Sequence, residues 1–226
     1  MSYANGPRIV TDGLVLHLDA ANRKSYPGSG NTWYDLSGNG NNGTRTNAVF
    51  NSSNGGTFSF DGNGDYITIS SSDSLKPTTG ITIFSWTKSS NYGNMTILGK
   101  NNSFQNQTFS SNGIENSIYS GGWNQPRTAQ NLLSTTNWNN IVNTYTTQDY
   151  KQRTYLNCSE VLTHTRTGGS AGNINQTNDN LYIGSWRGLS EYFNGFISVL
   201  MMYDRALSPT EIQQNYNALK GRYGLT

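Results

Sequence analysis

Alternation of apolar and polar positions, with period two, recurs along most of the chain. Leu14, Leu16 and Leu18 alternate with Val15 and His17, Phe58 and Phe60 with Thr57 and Ser59, and Ile81, Ile83 and Ser85 with Phe84 and Trp86 up to Lys88. Period two is the mark of a strand. Further strands are expected at residues 95–98, around Trp138, Ile141, Val142 and Tyr145, and at Leu181, Tyr182 and Ile183. Residues 155–158 and 161–163 read as a pair of strands around a polar turn. Between Phe104 and Leu133 the pattern weakens: residues 114–119 could form a strand, and Gly121, Gly122 and Trp123 a turn carrying an aromatic. The most apolar run is residues 192–203. Simple alternation puts Phe193, Gly195, Ile197, Val199, Met201 and Tyr203 on one face and Phe196, Leu200 and Met202 on the other. A strand apolar on both faces needs cover on both sides, so it is expected at the centre of a sheet.

One helix follows that run. Ser208 has the chemistry of an N-cap, Pro209 of the first helical position, and Glu211 completes a capping box, with Leu207 and Ile212 as a hydrophobic staple. Ile212, Tyr216, Leu219 and Tyr223 form one apolar stripe, and Gly221 is placed to end the helix. Elsewhere the breaks are turns. Residues 22–47 are rich in Gly and Asn; Gly38, Gly40 and Gly43 match G-x-G-x-x-G, but no helix pattern follows to hold a phosphate, so a surface loop is expected. Residues 168–172 are expected to be a flexible loop. Asp61-Gly62-Asn63-Gly64-Asp65 has the chemistry of a hairpin turn joining the strands around it. Asp61, Asn63 and Asp65 also have the spacing of calcium ligands, although no distal Glu completes a loop of the EF type.

Composition narrows the class. Only 12% of the 226 residues are charged and 12% are aromatic, which fits a folded chain of short strands and turns, and length and pattern fit one all-β domain. The expected organisation is an N-terminal arm, residues 1–12, loosely held unless a partner fixes it, and one domain, residues 13–226. A net charge of +2 without a basic run argues against nucleic acid as a partner. Cys158 stands alone, a packed and inert thiol by default, and two His leave too few of the usual ligands for zinc. The first residues show neither the basic nor the apolar region of a secretion signal, and no apolar run is long enough to cross a bilayer. His17 is expected to be a polar side chain on an outward strand position.

The motifs together carry a resemblance. FNGFISVLMMYDRALSPTEIQQNY resembles the C-terminal signature of laminin-G-like domains of the concanavalin A-like lectin/glucanase superfamily, in which a Gly-containing strand runs into a tyrosine, an R-A-L-S turn and a short helix. FDGNGDYITI is similar to that family's F-D-G-x-x-D-Y segment. Residues 138–157 resemble its W-x-x-V-x-x-x-Y…Y-x-N-G segment, with Asn139-Asn140 in place of the usual histidine pair and Cys158 in place of the glycine. The resemblance implies a concanavalin A-like jelly-roll sandwich of two antiparallel sheets with one short C-terminal helix. The segment GLVLHLDAANRKSYPGSGNTWYDLSGNGNNGT is similar to stand-alone family members in tailed bacteriophages. That likeness implies a virion component: a capsid decoration protein, head fibre or tail-associated protein, made in the host cytoplasm without a secretion signal. Other virion proteins would then be partners through the N-terminal arm, with several copies assembled together so that weak sugar contacts gain avidity.

Three functions compete at this stage. The first is the virion surface protein. The second is a stand-alone carbohydrate-binding module, for which Tyr92, Trp123, Trp186 and Arg187 are the candidate residues: sugar rings stack on aromatics, and guanidinium groups bond hydroxyls. Each aromatic competes with the plainer role of capping an edge of the core. The third is a glycoside hydrolase, which needs two positioned carboxylates. The four glutamates, Glu115, Glu160, Glu191 and Glu211, lack the E-x-D-x-E neighbourhood that the resemblance would demand, and no G-x-S-x-G occurs, so no catalytic residues are expected.

Overall fold

The structure is a computed structural model that describes residues 7–167 and 171–225. The start of the expected arm and residues 168–170 of the expected flexible loop lie outside the described residues. Two antiparallel sheets pack face to face. From edge to edge the first contains Ser159–Thr165, Lys151–Leu156, Asn139–Thr146, Gly80–Lys88, Asn194–Tyr203, Thr57–Asp61 and Val49–Asn51. Leu14–Asp19 pairs with residues 199–203 of the long strand, while Thr57–Asp61 pairs with residues 194–197. The second sheet runs Trp123–Asn124, Gly113–Tyr119, Phe104–Phe109, Met95–Lys100, Leu181–Ile183, Tyr66–Ile69, Gly43–Thr46 and Thr32–Trp33.

The first sheet is covered on both faces, which is why its central strand is apolar on both. Phe58, Phe60, Ile83, Ile141, Ile197 and Leu200 meet Ile67, Ile69, Leu98 and Ile183 of the second sheet in the inter-sheet core. On the opposite face Phe84, Trp86, Val142, Val199, Met201 and Tyr203 pack under the C-terminal helix. Trp86 stacks on Tyr223 with ring centroids 4.1 Å apart. Ile212 is fully buried there, so its truncation to Ala would cost about 2–5 kcal/mol.

The helix, Pro209–Leu219, has the expected capping box: the Ser208 hydroxyl accepts from the Glu211 amide, and the Glu211 carboxylate accepts from the Ser208 amide at 2.8 Å. Its end differs from expectation. A 3-10 turn, Lys220–Tyr223, carries the chain past Gly221, and Gly224, at φ +71°, supplies the left-handed residue that stops it. That extra turn is what brings Tyr223 over Trp86.

Four other expectations are corrected. Residues 61–65 do not close a hairpin, because Thr57–Asp61 lies in the first sheet and Tyr66–Ile69 in the second. The turn carries the chain from one sheet to the other, so Phe58 and Phe60 face Ile67 and Ile69 across the core rather than beside them. The long strand has a bulge between Ile197 and Val199. It exchanges the faces: Ile197 joins Leu200 and Met202 inside, and Phe196 joins Val199, Met201 and Tyr203 under the helix. The inserted Ser198 is used, since its hydroxyl donates to the Gly56 carbonyl at 3.0 Å and its carbonyl accepts from the Ala20 amide at 3.0 Å. The turn-rich region contains Thr32–Trp33 and Gly43–Thr46, and Trp33 is fully buried. Residues 8–12 are fixed without a partner: Val10 donates to Asn215 Oδ1 and accepts from the Tyr203 hydroxyl, Gln214 donates to the Arg8 carbonyl, and Asp12 pairs with Arg205 at 2.9 Å.

Candidate functional site

The strands that the hydrophobic pattern leaves weakest build the site. Phe104–Phe109 and Gly113–Tyr119 read FQNQTF and GIENSIY, yet nearly all of both is buried. Phe104, Ile114 and Ile118 point into the core, so Gln105, Gln107, Glu115 and Ser117 point to the outer face of the second sheet. There they satisfy one another. Glu115 Oε1 accepts from Gln107 Nε2 and Ser117 Oγ, each at 2.6 Å, and from Gln125 Nε2 at 3.1 Å, while Oε2 accepts from Arg127 Nε at 2.6 Å. Gln105 Nε2 donates to Gln107 Oε1 at 2.6 Å and to Glu191 Oε2 at 2.7 Å, and Thr96 Oγ1 donates to Glu191 at 2.9 Å. The result is a continuous floor of amides and carboxylates across three strands.

Aromatic rings border this floor. Trp123 pairs with Tyr119 along the edge of the sheet, at 5.4 Å between ring centroids. Its ring meets Trp186 edge-to-face at 5.8 Å. Trp186 lies on Gly99, and Tyr182 and Tyr66 continue the line of rings at 6.2 Å from each other. All five rings are half-buried. A short loop presents Trp186: its amide donates to the Ser190 carbonyl at 2.8 Å, and the Tyr192 hydroxyl donates to the Gly188 carbonyl at 2.7 Å. Arg187, exposed and at φ +61°, and Leu189, 72% exposed, form its tip.

Trp123 and Trp186, 63 positions apart, are therefore brought together. Arg187 is beside them. Tyr92 is not: it is 1% exposed, its hydroxyl accepts from Asn139 Nδ2 at 3.0 Å, and burial pushes its pKa up. It has no open face for a sugar to stack on and is a core residue, which corrects its candidacy. Asp61, Asn63 and Asp65 lie at the inter-sheet corner. Asp61 Oδ1 accepts from the Asn63 amide at 2.7 Å and Asp65 Oδ2 from the Asp61 amide at 2.9 Å, so both carboxylates serve the turn. Burial also pushes the Asp65 carboxyl up. Among the described residues no three His, Cys, Asp or Glu side chains gather as a metal site. His17 lies on the strand face opposite Leu16 and Leu18, as expected, but is half-buried there, and burial pushes it down against the nearby Asp19 and Asp35.

The arrangement offers stacking surfaces beside hydrogen-bonding groups, which suits a polyhydroxylated ring. Both carboxylates of the floor are already engaged: Glu191 Oε2 accepts from Gln105 Nε2 and Thr96 Oγ1. The Glu115 side chain is 0% exposed and held by four donors, and Glu160 and Glu211 line a groove of about 530 Å³ by the helix N-terminus. In that groove Arg153 pairs with Asp149 and Arg205 with Glu211. Sequence reasoning missed Gln105, Gln107, Glu115, Arg127 and Glu191. The alternation of Gln105 with Gln107 and of Glu115 with Ser117 between apolar neighbours was the available signal.

Comparison with known proteins agrees with this architecture. A family model described as the concanavalin A-like lectin/glucanases superfamily (Laminin_G_3) matches residues 61–213. Comparison with curated protein sequences gives no match. Among solved structures, the binding domain of Paraclostridial Mosquitocidal Protein 1 is 16% identical with a TM-score of 0.73, over 95% of this chain and 56% of that one. A structure of botulinum neurotoxin type C, whose cell entry depends on interaction with two ganglioside molecules, is 15% identical with a TM-score of 0.68, over 93% of this chain and 52% of that one. Domain 4 of AbnA, a GH43 extracellular arabinanase from Geobacillus stearothermophilus, in complex with arabinotriose, is 18% identical with a TM-score of 0.67, over 90% of this chain and 98% of that one. The chain spans about half the length of the two toxin chains. At these identities the likeness is one of fold.

Proposed function

The chain belongs to the concanavalin A-like lectin/glucanases superfamily, and on that premise we propose that it is a non-enzymatic glycan-binding module whose ligand lies on the outer face of the second sheet. The observation that carries this reading is the Trp123–Trp186 pair at 5.8 Å, set beside a floor of carboxamides. One sugar ring stacks on the exposed part of Trp186 or Trp123, and its hydroxyls reach Gln125, Glu191 and the free Nη atoms of Arg127. Arg127 is suited to this because only its Nε is engaged by Glu115, while its side chain is 57% exposed and its guanidinium lies 5.2 Å from the Phe109 ring. An arabinanase domain of the same fold in complex with arabinotriose, and a toxin that contains this fold and whose cell entry depends on two ganglioside molecules, support a carbohydrate as the ligand class. Glu115, closed off from solvent, supports a role in binding rather than hydrolysis. The test is a glycan array followed by titration calorimetry on the best ligand. Trp186→Ala and Trp123→Ala should each weaken binding at least about tenfold, as expected for the loss of a stacking ring; unchanged affinity in both would place the ligand elsewhere.

The setting we propose is the surface of a bacteriophage virion, with the chain made in the host cytoplasm and assembled in several copies. Its support is the resemblance of residues 13–44 to phage proteins of this family. The placement of residues 8–12 fits it: they pack against the helix, on the side of the molecule away from the aromatic face. Attachment to a capsid or tail through the preceding segment would leave Trp123 and Trp186 turned outward, where many copies give avidity. Mass spectrometry of purified particles tests this; absence of the chain from them would refute the virion setting and leave the glycan site standing.

A further inference from the structure

The two sheets do not meet through apolar side chains alone. Asn106 pairs with Asn116 on the inner side of the second sheet, and Asn116 Nδ2 reaches across to the carbonyls of Thr144 and Arg153, each at 3.3 Å. From the first sheet Gln152 Nε2 reaches the Asn116 carbonyl at 2.6 Å, and Asn143 Nδ2 the Glu115 carbonyl at 3.5 Å. Asn143 and Thr154 face each other in register and share the inner side with Ile83, and Gln152 shares it with Tyr145. Asn106, Asn116, Asn143, Gln152 and Thr154 thus form a polar seam within the sandwich, each at most 3% exposed.

The seam is not satisfied by its own groups. Asn106 Nδ2 and Oδ1, Asn143 Oδ1, Gln152 Oε1 and Thr154 Oγ1 are buried without a hydrogen-bond partner. Reassigning an amide's nitrogen and oxygen does not help Asn106, where both atoms are unpaired. Buried donors and acceptors left unpaired cost their full desolvation, and five clustered between the sheets call for a shared partner. We propose that the seam holds a cluster of ordered water molecules bridging the two sheets. The guest is water rather than an ion because the five side chains of the seam are neutral, and the buried Arg166 guanidinium beside them lies over the Tyr145 ring, 5.1 Å from its centroid. Amides and a hydroxyl offer both donors and acceptors, which water matches and a cation or anion alone does not. The seam lies directly beneath the glycan face: the carbonyls that Asn143 and Gln152 bond belong to Glu115 and Asn116, on the strand that carries the carboxylate floor.

Two variants separate a wet seam from a dry one by the sign of their effect. Thr154→Val and Asn106→Leu each remove unpaired polar atoms at similar volume. If the seam were dry, both would raise the melting temperature. If it is wet, both break water bridges and lower it, by roughly 2–4 °C or more each. A crystal structure of the native chain supplies the direct readout, with density for at least two waters expected within 3.5 Å, about the usual hydrogen-bond limit, of Asn106 and Asn143. Stabilised variants, or well-ordered side chains with no water between them, would overturn the proposal.

Discussion

Trp186 occupies the space that a side chain at position 99 would need: a Cβ on Gly99 would stand 3.0 Å from its Cε3 and Cζ3. The glycine is therefore what lets the indole lie down on the sheet. Replacing it by a branched residue pushes the ring up and away from Trp123. Gly99→Val should lower glycan affinity by about tenfold or more while the β content seen by circular dichroism is kept. Native affinity in that variant would mean that the position of the indole is immaterial to binding.

Arg127 compensates a carboxylate that water does not reach. Glu115 keeps three neutral donors when the guanidinium is removed but loses its only charge partner among them. Arg127→Met should destabilise the fold by about 1–3 kcal/mol. The double variant Glu115→Gln/Arg127→Met should recover part of that loss. Urea denaturation of the three proteins measures both steps.

Lys100 is fully buried, with its ammonium on Ser71 Oγ at 3.2 Å and the Leu75 carbonyl at 3.1 Å, and burial pushes its pKa down to about 8. Between about 8 and the ordinary lysine value near 10.4 the unfolded chain binds the extra proton and the native chain does not. Stability contributed at this site therefore rises with pH through that window and is lowest below it. Native protein minus Lys100→Met should become more favourable between pH 7 and about 10, on the order of 1–2 kcal/mol. Parallel profiles would mean that the amine is hydrated in solution.

The hydrogen-bonded Arg205 fork, and then the Ser208 amide and hydroxyl, hold the Glu211 carboxyl down at about 2. A depressed carboxylate stabilises the fold above its unfolded value and ceases to as pH falls toward the native one. Acid unfolding of the native chain should therefore steepen between about pH 4.5 and pH 2. Glu211→Gln should flatten that slope and lower stability at neutral pH by about 1 kcal/mol.

Asn157 and Cys158 close the hairpin between Lys151–Leu156 and Ser159–Thr165 with φ of +49° and +71°. A two-residue turn of this hand favours Asn followed by Gly. Cys158→Gly should raise the melting temperature, with about 0.5–1 kcal/mol of left-handed strain relieved. A fall would show that the thiol's packing against the helix cluster outweighs the strain.

Local chemistry was legible in the sequence. Alternation marked the strands through Ile81, Ile83 and Ser85, and the Ser208–Glu211 box marked the helix start, because both depend on neighbours a few residues away. The two-sided apolar character of residues 192–203 correctly implied cover from a second layer on each face. Trp123 and Trp186 were legible as aromatics in turn-rich surroundings, but their pairing was not.

What only the tertiary structure decided is partnership. A backbone strand offers the same amides and carbonyls to any neighbour, so residues 57–61 and 66–69 read as a hairpin although they belong to different sheets. A single bulge at Ser198 reversed which of Ile197 and Phe196 faces the core. Polar strands such as Phe104–Phe109 become buried only when Glu115 and Glu191 arrive from elsewhere to accept from Gln107 and Gln105, and hydrophobicity carries no record of that. The sequence by itself determined the elements and the family. Long-range hydrogen bonding and packing, which cost nothing to leave unspecified locally, determined the aromatic face and the polar seam beneath it.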